Sequence, residues 1–322
     1  MTDAFVMSVR EYEDGKFISE PGISRFLFVP RGAKGISPKH AIAPDEWFRR
    51  LREASVWRDD GQHKRGDILF FVHGYNNSQD EVLRRHRRLA TDLAVVGFKG
   101  VVASFDWPSG DQALNYLEDR HDAKKTAMQL VTDGVKVLSD QQRPDCWINV
   151  HLMGHSTGAF VIREAFHDAD TTNLSNSGWM VSQVVLIGAD VSSRSMSADD
   201  RISASLYAHC TRLTNYTNAR DSVLKLSNAK RLGAEPRIGR VGLPKEAPKK
   251  AVDVDCSAYF ERLDADEALK KRDQAEEIGT FCHSWHIGNR VFARDLFETL
   301  IYYIRKSSSG APNLMRPRGV VA

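Results

Sequence analysis

The sequence predicts an α/β fold: a mostly parallel central sheet flanked by helices on both faces, with short antiparallel strands at the amino terminus. Strand patterns alternate with helix patterns along the chain, the strands being "DILFFVHG", "VVASFDW", "CWINVHLMG", "SQVVLIGAD" and "CTRLTNYTN". Runs that are apolar on both faces are typical of buried parallel strands, and the segments of helical period between them indicate crossover helices. At the start, "AFVMSVREY" and "ISRFLFVP" flank turn residues, which favours an antiparallel pair.

The alternation continues without a composition shift that would divide it, so we expect one domain over residues 1–322. The chain has 322 residues and 42% hydrophobic content, enough for a substantial core. We assign the amino-terminal strands and a helix to 1–66, the core sheet to 67–227, an excursion or flap to 228–278, a histidine loop and the last helix to 279–306, and a mobile tail to 307–322. The excursion is predicted because "NAKRLGAEPRIGRVGLPKEAPKK" is rich in Gly, Pro and basic residues.

Composition argues against several classes of partner. The formal net charge of +3 is small for this length, so no nucleic-acid partner is expected. No apolar run approaches the roughly 18 residues of a membrane span, and the amino terminus lacks a secretory pattern, so we expect a soluble, cytoplasmic protein. Four cysteines without a CxxC pair indicate neither a disulfide framework nor a structural zinc site. The oligomeric state is left open.

The stretch "HLMGHSTGAF" contains the pattern G-x-S-x-G at Gly154, Ser156 and Gly158. It lies where a predicted strand ends and a predicted helix begins, which is the context of a nucleophile elbow. The N–H of Thr157, at the helix start, could then stabilise an oxyanion. The alternative interpretation is an ordinary capped helix start, because Ser and Gly are common there.

A second motif, "FFVHGYNNS", ends an earlier buried strand with His73 and Gly74. In α/β-hydrolases the corresponding loop supplies another oxyanion N–H, which here would come from Tyr75 or Asn76. For the His73 side chain we favour a plain hydrogen bond to the backbone. Trp107, in "FDWPSG", could line a pocket mouth or belong to a turn stiffened by proline.

Taken together, these motifs resemble the α/β-hydrolase fold, and more narrowly the bacterial α/β-hydrolases of unknown function called DUF900. The resemblance spans roughly Asp67 to Tyr303 and depends on the stretches "FVHGYNNS", "FDWPSG", "MGHSTG", "VVLIGADVS", "NYTNARDSVLKLS" and "HSWHIGN". The family usually has Met after the nucleophile, whereas Thr157 stands here. It implies a fold and a catalytic constellation more firmly than a substrate.

In this fold the triad runs Ser, then Asp or Glu, then His along the chain. Downstream of the serine, "FCHSWHIGN" offers His283 and His286. The resemblance favours His283, and His286 is the alternative. For the acid, Asp221 follows the predicted strand "TRLTNYT" at its carboxyl end, and Asp190, one strand earlier, is the alternative.

These residues predict a serine hydrolase that forms an acyl-enzyme, acting on a small-molecule carboxylic ester. Amide or peptide hydrolysis by the same triad is an alternative, because both reactions share the tetrahedral intermediate. A non-catalytic binding protein on a hydrolase fold is another, since a fold does not guarantee an activity. No cofactor and no metal site are expected. His151 and His155 are four residues apart, but they belong to a strand and its turn, so zinc is disfavoured.

Overall fold

The computed structural model describes residues 2–109, 124–140, 146–172, 179–229 and 235–309. These residues form a nine-stranded sheet in the order β2-β1-β5-β4-β6-β7-β8-β9, with β3 paired to β4. The strands are β1 (Ala4–Glu13), β2 (Lys16–Val29), β3 (Val56–Asp59), β4 (Lys64–Val72), β5 (Val101–Asp106), β6 (Cys146–His155), β7 (Val181–Ile187), β8 (Cys210–Thr217) and β9 (Ala251–Asp255).

The sheet is mixed and mostly parallel, which confirms the predicted fold class. From β1 through β5, β4, β6, β7 and β8 to β9, every neighbouring pair is parallel. The antiparallel pairs are β1 with β2 and β3 with β4. The amino-terminal hairpin therefore extends the sheet, with β1 seated directly against β5.

Helices follow most of the strands. They are α1 (Pro44–Ser55), α2 (Gln79–Val95), α3 (Lys136–Asp140), α4 (Thr157–Thr171), α5 (Arg201–Ala208), α6 (Ser222–Ala229), α7 (Ile238–Val241), α8 (Ser257–Ala265), α9 (Glu267–Asp273), α10 (Phe281–Ser284) and α11 (Arg290–Ser309). A π-helical turn, Leu130–Val135, precedes α3. Within the described ranges, no helix is long and apolar enough to cross a membrane.

Two apolar layers cover the two faces of the sheet. Successive side chains of a strand point to opposite faces, so Phe70 belongs to one layer and Phe71 to the other. The first layer includes Trp47 of α1 and Phe166 of α4. The second includes Phe292 of α11. Both central phenylalanines are fully buried, which explains why the strand reads as one continuous apolar run.

Part of the segment expected to be an excursion joins the sheet. Residues 251–255 form β9, which pairs in parallel with β8 through Leu213↔Ala251 to Thr217↔Asp255. The predicted tail of residues 307–322 begins inside α11, which extends to Ser309, and its remainder lies outside the described residues.

The turns that follow β4, β6 and β8 all lie at the carboxyl edge of the parallel sheet. In open α/β sheets this edge is where ligands bind. The turn after β4 begins at His73, the turn after β6 contains Ser156, and the turn after β8 leads to Asp221. The topology therefore brings the predicted site residues to one end of the molecule.

Candidate active site

Ser156 connects β6 to α4 in a strained backbone conformation. Its φ is 55° and its ψ is −122°, a region that non-glycine residues rarely occupy. The side chain makes no capping hydrogen bond to the helix. Its hydroxyl is thus not used as a helix cap, and the strand, the strained turn and the helix have the form of a nucleophile elbow.

The glycines of the G-x-S-x-G pattern are required by close packing around this turn. A Cβ on Gly158 would lie 2.2 Å from the Val72 carbonyl oxygen, and one on Gly154 would lie 2.9 Å from the Cα of Ala159. Both clashes are with backbone, which cannot rotate away. The glycines therefore let α4 approach the end of β4 while Ser156 keeps its unusual dihedral angles.

Backbone hydrogen bonds attach the elbow to the neighbouring strand end. The N–H of Ser156 donates to the Ile187 carbonyl at 3.0 Å, and the N–H of Asp190 donates to the Ser156 carbonyl at 3.1 Å. These bonds tie both peptide groups of the strained residue to β7 and the loop after it. The surroundings thus hold a conformation that would otherwise be costly.

Asp221 and His283 are joined by a short hydrogen bond in the interior. Nδ1 of His283 lies 2.6 Å from Oδ2 of Asp221, and these residues are 6% and 1% exposed. The other carboxylate oxygen, Oδ1, accepts the N–H of Leu224 at 3.0 Å near the start of α6. Because an ionised carboxylate only accepts, Nδ1 carries the proton and Nε2 is left as an acceptor.

His155 connects the elbow to the histidine loop. Its Nε2 lies 3.2 Å from the His283 carbonyl oxygen, so this nitrogen is the donor, and the two rings are 4.8 Å apart. Asn218 holds the same loop by donating from Nδ2 to the Cys282 carbonyl at 3.1 Å. Burial, followed by the nearby His283 and Arg85, lowers the pKa of His155 well below its ordinary value, which keeps its ring neutral. The residue beside Ser156 is therefore hydrogen-bonded to the backbone of His283, the candidate base.

The two alternative residues have other partners. The carboxylate Oδ1 of Asp190 lies 3.0 Å from Nε of Arg237 in a buried ion pair. His286 is 2% exposed and its ring packs on Trp285 and Phe292 at centroid distances of 4.1 and 5.1 Å. Neither of its nitrogens has a hydrogen-bond partner among the described residues, and burial lowers its pKa well below the ordinary value. Thus the described contacts pair Asp221 with His283.

The predicted oxyanion donors lie on both sides of Ser156. Thr157 is the first residue of α4, and an N–H at that position has no acceptor within the helix. Across the turn, a Cβ on Gly74 would be 2.8 Å from the Cβ of Ser156, so the loop containing Tyr75 lies against the serine. Asn76 has a φ of 54°, which marks a tight turn in that loop.

A buried charged cluster beneath this loop was not predicted from the sequence. Nε of Arg10, on β1, lies 2.7 Å from Oδ1 of Asp106 at the end of β5, and these side chains are 3% and 0% exposed. Trp107 does not line a pocket mouth, because it is fully buried and its indole donates to the His73 carbonyl at 2.8 Å. The His73 ring bonds to the backbone oxygen of Gly74 at 2.8 Å, as expected. The signal in the sequence is the polar pair Ser8 and Arg10, which flanks Val9 directly after the apolar run of residues 4–7 in β1.

The chain belongs to a family described as α/β-hydrolases of unknown function (DUF900), whose sequence profile matches residues 52–283. This assignment confirms the resemblance inferred from the motifs. The matched region contains β3 to β9 and the segments bearing Ser156, Asp221 and His283. No curated protein matches the chain in sequence. Within the described residues, no group of three or more His, Cys, Asp or Glu side chains could hold a metal ion.

Solved structures that resemble the chain are distant. A dienelactone hydrolase from Anabaena variabilis is 19% identical, with a TM-score of 0.35, over 84% of this chain and 95% of that protein. A fungal esterase from Rhizomucor miehei is 12% identical, with a TM-score of 0.35, over 93% of this chain and 85% of that one. A cutinase from Trichoderma reesei is 17% identical, with a TM-score of 0.25, over 38% and 51%. Family membership therefore depends on the sequence match.

Proposed function

We propose that this protein is a serine hydrolase in which Ser156 is the nucleophile, His283 the general base and Asp221 the acid that orients the base. The observation that carries the proposal is the 2.6 Å bond between Asp221 and His283, buried beside a strained serine elbow. A serine at a strained elbow, near a histidine that a carboxylate orients, is the set of groups that acyl transfer by a triad requires.

The proposed reaction begins when Nε2 of His283 accepts the proton of the Ser156 hydroxyl. Oγ attacks the substrate carbonyl carbon, and the carbonyl oxygen becomes an oxyanion. The N–H groups of Thr157 and Tyr75 are the proposed donors to it, and losing one such donor typically costs about 10²–10³ in rate. The oxyanion then collapses to the acyl-enzyme as the carbon–oxygen bond to the alkoxy group breaks, and the imidazolium, stabilised by Asp221, protonates that oxygen so that it leaves as the alcohol. Water, activated by the same base, releases the acid and frees the serine.

The proposed substrate class is a small-molecule carboxylic ester. An alcohol leaves a tetrahedral intermediate more readily than an amine does, so an ester places the smallest demand on the triad. Amide or peptide hydrolysis uses the same intermediate and is separated by comparing ester and amide substrates of the same acyl group. A binding protein on this fold is the remaining alternative, and it predicts an unreactive Ser156.

The test is covalent labelling with a fluorophosphonate, followed by intact-mass analysis and peptide mapping. We expect one adduct on Ser156, no adduct in Ser156→Ala, and strongly slowed labelling in His283→Ala. His286→Ala is the matched control, because His286 is an equally buried histidine of the same loop that has no hydrogen-bonded carboxylate. An unlabelled, folded wild type would contradict the proposal. Labelling that depends on His286 instead of His283 would contradict the assignment of the base.

A further inference from the structure

The loop of residues 73–77, between β4 and α2, has its carbonyl groups held by the protein interior. The His73 carbonyl accepts from Nε1 of Trp107 at 2.8 Å. The Gly74 carbonyl accepts from Nδ1 of His73 at 2.8 Å and from Nδ2 of Asn77 at 2.9 Å. The Tyr75 carbonyl accepts from the same Nδ2 of Asn77 at 2.8 Å. Buried side chains therefore hold three successive carbonyl groups of the loop in place.

The direction of these carbonyls determines the direction of the next N–H groups. In a planar trans peptide the N–H of one residue points opposite to the carbonyl of the residue before it. The carbonyls of Gly74 and Tyr75 face the Asn77 side chain, so the N–H groups of Tyr75 and Asn76 face away from it. Gly74, the residue before these two, lies against Ser156, since a Cβ on it would be 2.8 Å from the Cβ of Ser156. Asn77 thus orients two potential oxyanion donors with one side-chain amide.

Asn77 is itself held by the amino-terminal strand. Its carbonyl accepts from Nη2 of Arg10 at 3.0 Å and from Oγ of Ser109 at 3.2 Å. Ser109 also accepts the N–H of Asn77 at 3.2 Å. Asn77 is 3% exposed, so its amide serves the loop and is not available to solvent. The support of the loop therefore reaches β1, more than sixty residues earlier in the chain.

Asp106 fixes the Arg10 guanidinium in place. Its Oδ1 lies 2.7 Å from Nε of Arg10 and 3.4 Å from Nε2 of His73. Its Oδ2 accepts from Oγ of Ser8 at 2.8 Å and from Nε2 of Gln79 at 3.1 Å. Burial opposes ionisation, but Arg10 and the contact with His73 outweigh it and hold the pKa of Asp106 below its ordinary value. The carboxylate is therefore charged and fully satisfied.

We propose that Arg10, Asp106, His73 and Asn77 are positioning residues that orient the oxyanion-binding N–H groups of the loop. This inference rests on the proposed serine hydrolase function. It assigns a role in the reaction to the amino-terminal hairpin, which lies outside the matched region of residues 52–283. None of the four touches the reacting atoms. They act through the backbone of residues 74–76.

Asn77→Asp is the most direct test, because it keeps the shape of the side chain and removes both donations to the loop carbonyls. The matched control is Asn149→Asp on β6. Asn149 donates from Nδ2 to Oδ1 of Asp67 at 3.0 Å, at the amino ends of the strands and away from Ser156. Both variants lose an amide donor without a change of volume. Urea unfolding measures what each loses in stability.

The assay is hydrolysis of a p-nitrophenyl ester, together with inhibition by a trifluoromethyl ketone that forms an oxyanion on the enzyme. For Asn77→Asp we expect kcat to fall on the order of 10²-fold with little change in KM, because misplacement of the donors acts on the transition state. The inhibition constant for the ketone should rise in parallel. Asn149→Asp should keep kcat and the inhibition constant of the wild type, whatever its stability.

Arg10→Lys is the second variant. Lysine keeps a positive charge beside Asp106, whereas a neutral residue would leave the buried Asp106 carboxylate without a partner. Lysine has no second nitrogen, so it loses the hydrogen bond that Nη2 of Arg10 donates to the Asn77 carbonyl. We expect a smaller fall in kcat of the same kind. If both variants match Asn149→Asp in kcat and in ketone inhibition, the positioning role is wrong. If the wild type neither turns over ester nor reacts at Ser156, it is the proposed function that fails.

Discussion

Nδ1 of His283 donates a 2.6 Å hydrogen bond to Oδ2 of Asp221, although 62 residues separate them along the chain. The acid follows β8 and the base lies in α10, and the elements between them are α6, α7, β9, α8 and α9. The excursion between them returns the chain to the carboxyl edge of the sheet. This pairing is the basis of the first prediction.

Asp221→Asn is expected to abolish most of the activity while leaving the protein folded. The amide is uncharged and can present an NH₂ donor where the carboxylate accepts the hydrogen bond from Nδ1, so the imidazole loses both its fixed tautomer and the stabilisation of its charged form. By analogy with the same change in other triads, kcat should fall on the order of 10⁴-fold. Ester hydrolysis and the rate of fluorophosphonate labelling measure the effect.

Asp190→Asn provides the control for that change. Asp190 is an equally buried aspartate one strand away, and its carboxylate pairs with Arg237. We expect this variant to lose stability, because a buried cation loses its partner, and to lose far less kcat than Asp221→Asn. The reverse order of the two effects would assign the acid to Asp190.

Gly158→Ala is expected to destabilise the protein and slow labelling of Ser156. The new Cβ would lie 2.2 Å from the Val72 carbonyl oxygen and 2.6 Å from that of His73, so α4 and the end of β4 must separate. Overpacking of this kind typically costs about 1–3 kcal/mol in the free energy of unfolding. Gly32→Ala, where no heavy atom lies within 4 Å, should change neither property. Equal stability of the two variants would show that the elbow tolerates a side chain there.

The stability of the protein is expected to fall as the pH drops below about 6.5, in part through His86. His86 is 1% exposed on α2, and burial, followed by the charge of Arg87, lowers its pKa to about 3. A folded pKa below the unfolded value means that the stabilisation is complete above the unfolded pKa. It is lost as the pH falls through the interval toward the folded pKa. The loss is at most about 1.4 kcal/mol per pH unit for one group.

His86→Gln should therefore flatten the acid limb of the stability curve. Glutamine retains a group that can bond to Oγ of Ser104, 2.8 Å from Nδ1 of His86 in the wild type, and it does not titrate. Free energies of unfolding in urea at pH 7.5, 6 and 5 give the slope. His63→Gln, at a side chain that is 44% exposed, is the control. An unchanged slope in His86→Gln would mean that its buried ring does not contribute to the pH dependence.

Local patterns were sufficient for the sheet and for the elbow. The run around Phe70 and Phe71 is apolar on both faces, which predicts a buried parallel strand, and the structure covers both faces of that strand. The serine turn was recognisable because the glycines that it requires are adjacent to it in the sequence. These features are determined by neighbours along the chain, so the sequence alone was enough to predict them.

The strand β9 was missed for a local reason. Its sequence "AVDVD" carries two aspartates, which are unfavourable in strands, and it follows a stretch rich in Gly and Pro. In the folded protein Asp253 accepts from Nδ2 of Asn215 at 2.7 Å and from the N–H of Leu243 at 2.9 Å. These partners satisfy the carboxylate, so the segment can pair with β8. Such compensation exists only after folding.

The sequence by itself thus determined the α/β architecture, the serine elbow and the candidates for the acid and the base. Only the tertiary structure decided that Asp221 pairs with His283, that Asp190 forms an ion pair with Arg237 and that His286 packs against aromatic rings. It alone joined Arg10 to Asp106, 96 residues apart, beneath the loop of residues 73–77. The physical reason is that periodicity and turn chemistry depend on adjacent residues. Buried charges, by contrast, are stabilised by partners that only the register of the strands brings within hydrogen-bonding distance.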